Sequence, residues 1–391
     1  MMRKILALMM ALSMLCVPAL AEEEDDVSLA DILRNADQDA VSTTVIAPSD
    51  DMAATEDQVL EEPQAEEDIY EADGSVLITL TATGDFTIGG DSRKRTDIFN
   101  DELKRQGGDI NFTMRNMRDI LMSDDLTIVN FEGTLTNSTY VPSNKRENQF
   151  LFSAPPSYVS MLADNGIEAV SLENNHVMDH GEEAYEDTKQ TLRDAGIVYS
   201  NSTEKGVITV KGVEICMLSY LCIDRYESLW EKVPADIAAA KAEYPIVVVS
   251  FHWGNEKDYA PTNNQIKMGR LAADSGADLV LGHHSHRLNP IEYYNGVYIC
   301  YSLGNFCFSG NSKPSDMSSF VFQTRFRVKD GEVSNAGFRI IPIRISSKTD
   351  RNDFIPTVLT KPTAIDSVLT TLKANGKKLE YAVEEYPLEW N

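Results

Sequence analysis

"GADLVLGHHSHRLNP", residues 276–290, opens as a short apolar run and ends with three histidines in four positions. The chain holds only six histidines in 391 residues, so half of them stand behind this one run. A run of about four to eight apolar residues bounded by turn formers reads as a buried strand. Imidazoles placed just past its end suit metal ligation or proton transfer. Whether they form a site depends on what other strands bring to the same place.

The pattern recurs along the chain. Asp85 follows "LITLTATG", and Asn130 and Glu132 close "LTIVNFEG". Asn174, Asn175 and His176 follow "IEAVSLE", with Asp179 and His180 just behind, and His252 closes "IVVVSF". Five strand-like runs thus each end in a potential metal ligand, and all six histidines fall in three of these post-strand segments. In α/β sheets ligands bind outside the carboxyl ends of the strands, so the five ends predict one crevice. Asp, Glu, Asn and imidazole form the donor set expected for Zn²⁺, Fe or Mn²⁺. Singly, each element has a plainer reading: Gly-Asp after a strand is common in turns, and a lone His252 beside Trp253 suits a packed core. The combination points to a metal site.

Helical patterns are expected near 111–122, 156–165, 181–195, 235–243 and 263–275, alternating with the apolar runs. "GVITV" and "VEICMLSYL" read as a hairpin turned at Lys211-Gly212. From Val297 onward come consecutive strands, "VYICYSL", "SFVFQTRFRV" and "AGFRIIPIRI". This order predicts an α/β fold with largely parallel strands and antiparallel ones towards the end. The folded domain is expected to span 76–345, and the more polar residues 346–391 to pack on it or wrap around it.

The formal charge of −26 is uneven, because nineteen acidic residues lie in Glu22–Ser75 against a single Arg34. Such a stretch cannot bury enough apolar surface to offset the entropy of ordering, so 22–75 reads as a disordered acidic spacer. The acidic balance excludes nucleic acid, whose backbone requires a positive surface. Arg3 and Lys4 precede "ILALMMALSMLCVPAL", and Ala19-Leu20-Ala21 offers a cleavage point. Residues 1–21 therefore read as an export signal, cleaved after Ala21 or retained as an anchor, and the protein is expected to be secreted or held at the cell envelope. Met14-Leu15 before Cys16 argues against lipidation. The remaining Cys216, Cys222, Cys300 and Cys307 permit two disulfides in an exported chain, or four buried thiols.

The stretches "ATGDFTIGGD", "NFEGTLT", "NNHVMDHG", "HWGNEKDYAPTNNQ", "GADLVLGHHSH" and "YSLGNFCF" resemble, in order, the CapA family of bacterial poly-γ-glutamate capsule synthesis proteins. That family's domain is similar to the calcineurin-type metallophosphoesterases. The resemblance covers about Val76 to Phe308 and implies a four-layer α/β/β/α sandwich of mixed sheets with two divalent metal ions (Mn, Fe or Zn). It implies Asp85 as a ligand of the first metal, Glu132 as the bridging carboxylate and Asn175 as the amide ligand of the second. His252, His284 and His286 would supply imidazoles, and His176 would assist the leaving group, with Asp179 completing the candidate catalytic pair. Asn130, Asn174, His180, Trp253, His283 and Asn305 are candidates for substrate contact or ligand support. Three departures stand out: Thr87 where the phosphoesterase pattern has histidine, Glu132 where it has aspartate, and Ser285 where the family often has proline. The implied function is an exported metal-dependent hydrolase of a phosphoester or envelope-polymer bond. The alternative is a non-catalytic factor that holds an anionic capsule polymer beside synthesis machinery in the membrane. A third reading is a pseudo-enzyme whose histidines only stabilise the fold.

Overall fold

The computed structural model describes residues 69–91, 93, 97–145, 149–223 and 226–390. The expected export signal, and all but the last residues of the acidic spacer, lie outside that range. Along the chain come β1 (Val76–Thr87), α1 (Ile98–Arg105), β2 (Leu126–Phe131), β3 (Thr134–Leu135), β4 (Ser153–Ala154), β5 (Ala169–Ser171), α2 (Gly181–Asp194) and β6 (Val198–Ser200). Next are β7 (Gly206–Val210), β8 (Val213–Cys222), α3 (Leu229–Glu243), β9 (Ile246–Trp253), α4 (Asn263–Asp274) and β10 (Leu279–His283). The rest is β11 (Ile291–Tyr294), β12 (Val297–Cys300), β13 (Asn305–Phe308), β14 (Ser318–Lys329), β15 (Glu332–Arg344), β16 (Thr357–Val358) and α5 (Pro362–Gly376).

One sheet runs β16-β15-β14-β1-β2-β5-β6, with β13 also on β1, and the other runs β11-β12-β10-β9-β8-β7. Neighbours are parallel through the centre of both sheets, whereas β14 and β15 pair antiparallel. Ile78, Leu80, Ala82 and Ile128 of the first sheet share a core with Ile215, Met217, Val248, Leu279 and Leu281 of the second. Val129 and Phe131 face the opposite way, into a layer with Phe99 of α1 and Leu192 of α2. On the far side Val247, Val249 and Phe251 share a layer with Ile237 of α3 and Met268 and Ala272 of α4. The result is the expected four-layer α/β/β/α sandwich, and strands buried on both faces explain the unbroken apolar runs.

Some local expectations are corrected. The helix expected over 111–122 is a 3₁₀ turn, Ile110–Met114, capped by Asp109, followed by a single α-turn at Arg118–Leu121. It still buries Phe112, Met114, Met117 and Leu121. α3 starts at Leu229 and carries Pro234 within it, which removes the N–H that would otherwise bond the Trp230 carbonyl. α1 was not foreseen, and α5 places Val368 and Leu372 in the inter-sheet core. The four cysteines among the described residues, Cys216, Cys222, Cys300 and Cys307, are all buried free thiols. Cys300 lies between the sheets, Cys307 in the layer with α1, and Cys216 and Cys222 in the layer with α3. The last two are six positions apart on one strand, about 20 Å along it, which no disulfide spans.

Candidate metal centre

β1 turns its even-numbered residues Ile78, Leu80 and Ala82 towards the inter-sheet core. Unbroken alternation would send Asp85 outward. However, Ala82 pairs with Ile128 and Asp85 with Asn130, so β1 holds one extra residue between them. This bulge reverses the parity: Phe86 joins the helical layer and Asp85 turns inward. Gly84 permits it, since a Cβ there would lie 2.2 Å from the Gly304 carbonyl oxygen. That loop's approach lets Gly304 accept the Asp85 N–H at 2.9 Å.

On the second sheet His252 continues the inward face of Ile246 and Val248, and His283 pairs beside it from β10. Gly282 is needed because a Cβ would lie 2.2 Å from the Tyr301 carbonyl oxygen. Beyond the strand, His284 and His286 adopt φ of 90° and 53°. Positive φ in a residue other than glycine costs on the order of 1–3 kcal/mol and gathers at functional sites. Here it brings the His284 ring to 4.6 Å from that of His252.

The side chains form two groups that share Glu132. In the first, Asp85 Oδ2 lies 2.9 Å from His286 Nδ1, and Oδ1 lies 3.4 Å from His283 Nδ1. Asn130 Nδ2 donates to Asp85 Oδ1 at 2.9 Å, and His286 Nδ1 meets Asn305 Oδ1 at 2.9 Å. In the second, His252 Nε2 lies 2.7 Å from Asn175 Oδ1 and 3.4 Å from Glu132 Oε1. The Thr87 hydroxyl donates to Glu132 Oε2 at 3.1 Å. Asn174 braces both sides, donating to the Phe131 carbonyl at 2.7 Å and accepting the His176 N–H at 3.0 Å.

Beside these groups, His176 Nδ1 donates to Asp179 Oδ2 at 2.8 Å, and Lys145 Nζ donates to Asp179 Oδ1 at 2.6 Å. The Phe152 N–H also donates to Asp179, and the Phe152 ring centroid is 4.7 Å from that of His176. Bonding at Nδ1 leaves the other ring nitrogen, Nε2, as the acid–base atom.

Burial and mutual charge set the electrostatics. Burial, then the neighbouring Asp85, pushes the Glu132 carboxyl up to about 7. Burial also opposes ionisation of Asp85, but the contacts with His283 and His286 outweigh it and hold Asp85 well below its ordinary value. Burial and then the other imidazoles lower His252 strongly and bring His284 to about 4. Both rings are therefore neutral, the form that ligates metals. His286 is lowered by burial but raised more by Asp85 and Glu132, to about 9.

The residues fit a divalent cation. Asp85 Oδ2, His283 Nδ1 and His284 Nδ1 are buried with no hydrogen-bond partner among the described residues. Ligand atoms of Asp85, Glu132 and His286 lie within 4.8 Å of one another. An unpaired buried polar atom is costly, and a cation held by the Asp85, Glu132 and His286 group would satisfy Asp85 Oδ2. Oxygen and imidazole donors without thiolate suit Mn, Fe or Zn.

The structure thus brings together Asp85, Glu132, Asn175, His252, His283, His284 and His286, with Asn130, Asn174 and Asn305 supporting them and His176 and Asp179 alongside. It does not bring in two candidates. Trp253 faces the helical layer, stacked on Phe251 and donating to the Tyr301 carbonyl, because strand alternation turns it opposite to His252. His180 is turned onto the Tyr140 carbonyl. The sequence reading missed Lys145 and Phe152, which lie in a loop segment and a short strand approach without a motif. It noted Thr87 only as a departure and did not foresee its bond to Glu132.

A family model described as "Bacterial capsule synthesis protein PGA_cap" matches residues 79–310. The chain is 31% identical over 295 residues to a "PGA biosynthesis protein CapA" of Bacillus subtilis, covering 70% of this chain and 73% of that protein. It is 26% identical over 293 residues to a "Capsule biosynthesis protein CapA" of Bacillus anthracis, covering 68% and 67%. Among solved structures, a calcineurin-like phosphoesterase, YfkN of Bacillus subtilis, aligns over 78% of this chain and 100% of that one, with 16% identity and a TM-score of 0.42.

Proposed function

The chain belongs to the PGA_cap family of bacterial capsule synthesis proteins, and from that premise we propose that it is an exported, metal-dependent hydrolase of a phosphoester or envelope-polymer bond. The observation that carries this reading is the pair of buried ligand groups sharing Glu132, with the His176–Asp179 pair beside them. Export rests on residues 1–21, and an anionic capsule polymer with its membrane synthesis machinery is the proposed setting.

Asp85 would supply negative charge, joined by Glu132 as it ionises beside a cation, and His252, His284 and Asn175 would supply neutral donors for two divalent cations. Such cations, when bound, polarise a phosphoryl oxygen and lower the pKa of water. Asp179 fixes the His176 ring through Nδ1, Phe152 limits its rotation, and Nε2 is left to protonate the departing alkoxide. A positioned general acid contributes roughly 10²–10⁴-fold in rate.

The test is bound metal measured by mass spectrometry, together with hydrolysis of bis(p-nitrophenyl) phosphate. His284→Ala should lose metal and turnover. His176→Ala should keep metal and lose turnover by about 10²-fold or more. A second reading, metal-assisted holding of a polymer without cleavage, is favoured by Thr87, a hydroxyl donor to Glu132 where the phosphoesterase pattern has an imidazole. Full metal occupancy with no hydrolysis, and polymer retention lost only in His284→Ala, would select it. Absence of bound metal in the wild-type protein would remove both.

A further inference from the structure

Beside the cluster, on the His176 side, lies a cavity of about 330 Å³ whose lining includes Asp91, Asp97, Phe150, Phe152, Ser309 and Ser312. None of these residues belongs to the ligand groups. We propose that this cavity holds a neutral, hydroxylated ring, a pyranose-type sugar unit, attached on one side of the bond that is cleaved. The proposal rests on the hydrolase reading above and specifies its substrate.

The wall is aromatic. The Phe150 and Phe152 rings are parallel within 1° at a centroid separation of 5.8 Å, and Phe150 is 48% exposed. An aromatic surface with a few placed polar groups is the usual make-up of a small-molecule site, and a pyranose presents a C–H face to an aromatic ring and hydroxyls at its edge. Ser309 supplies a hydroxyl for that edge: it is 3% exposed, and its Oγ is buried with no hydrogen-bond partner among the described residues. A buried hydroxyl without a partner carries a penalty that a ligand hydroxyl removes.

Charge narrows the choice. Asp91 is neutralised by Arg93, so Asp97 is the one lining carboxylate without a cationic partner among the described residues, and its charge favours a neutral occupant over a bare glutamate side chain or phosphate. Neither carboxylate demands a cation, since Asp91 already pairs with Arg93 at 2.8 Å and Asp97 accepts Asn100 N–H at 3.0 Å. Asp91 has no acceptor position left, its oxygens being taken by Arg93 and the Leu151 N–H, but Asp97 keeps lone pairs that suit neutral hydroxyls. The position is also apt. Phe152 touches His176, and Ser309 follows Phe308, whose ring is 5.0 Å from that of His286. A ring seated here presents its substituent to the cluster from the side where His176 would protonate a leaving group.

The experiment uses the full chain and four probes: glucose 1-phosphate, glycerol 1-phosphate, choline phosphate and methyl β-D-glucopyranoside. By calorimetry, glucose 1-phosphate should bind about tenfold more tightly than glycerol 1-phosphate, and Phe150→Ala and Ser309→Ala should each remove most of that preference without altering metal content. Equal affinities, or tighter binding of choline phosphate, would overturn the proposal. Methyl glucopyranoside, followed by saturation-transfer NMR, separates the two claims. If it binds the metal-free protein and fails to bind Phe150→Ala, the cavity assignment stands even where hydrolysis is absent. If metal and hydrolysis are present but the glucoside does not bind, the cavity assignment falls alone.

Discussion

Asp179 has no exposed side-chain surface, and its two oxygens are met by Lys145, the His176 ring and the Phe152 N–H. Lys145 supplies the only full positive charge among these contacts when His176 is neutral. Replacing it by methionine leaves a buried carboxylate with weaker compensation, a class of change that is strongly destabilising when complete. Because Lys145 is partly exposed, at 17%, Lys145→Met should cost roughly 1–3 kcal/mol in urea unfolding. Its turnover should fall while bound metal stays constant. Lys145→Met combined with Asp179→Asn should cost less than the sum of the two single changes, the signature of a direct pair. Strictly additive losses would show that the two residues act separately.

The parity change in β1 belongs to the scale of the element. Gly84→Ala would drive a methyl group against the Gly304 carbonyl and pull β1 from β13, moving Asp85 with it. A loss of about 1–3 kcal/mol is expected, as for other overpacked sites, with a fall in bound metal; unchanged metal would mean the bulge does not aim Asp85. At the opposite end of the sheet, burial raises the Asp124 carboxyl from 3.8 to about 7, against the hydroxyls of Thr81 and Thr127, and Glu168 and Asp125 add to it. A carboxyl raised on folding contributes stability that is fully present below its unfolded value and is lost as pH rises through the folded one. Wild-type stability should therefore decline between about pH 4 and 7 from this group. Asp124→Asn should flatten that decline and add about 1–2 kcal/mol at pH 8, measured by denaturant melts across pH. These elements also show what the sequence carried. Strand ends were legible because two-sided burial leaves unbroken apolar runs that stop where polar ligands begin. The bulge was not, since Thr83-Gly84 differs from a regular strand only through the distant Gly304. The start of α3 was hidden by Pro234, and Lys145 by a loop with no periodicity.

Across the whole molecule, the four described thiols sit in three separate layers, and the two that share a layer, Cys216 and Cys222, are about 20 Å apart along β8, so no pair can close without dismantling the sandwich. Dithiothreitol should leave the melting temperature unchanged, and a drop of several degrees would show a disulfide. The alternation of strands and helices was enough to foresee an α/β fold, and the family resemblance four layers, but neither showed that α5 returns to fill the inter-sheet core. The two carboxylates of the cluster come from one sheet and most of the imidazoles from the other, with Asp85 and His286 at its two ends in sequence. This division has a consequence in time. A chain still emerging from the ribosome exposes its carboxylates long before the last histidines follow. It holds no complete ligand set until roughly three quarters of its length has been synthesised. Since affinity alone ranks transition metals poorly for their natural sites, the metal-dependent reading proposed above makes the captured ion a matter of which ions surround the chain when its last quarter folds.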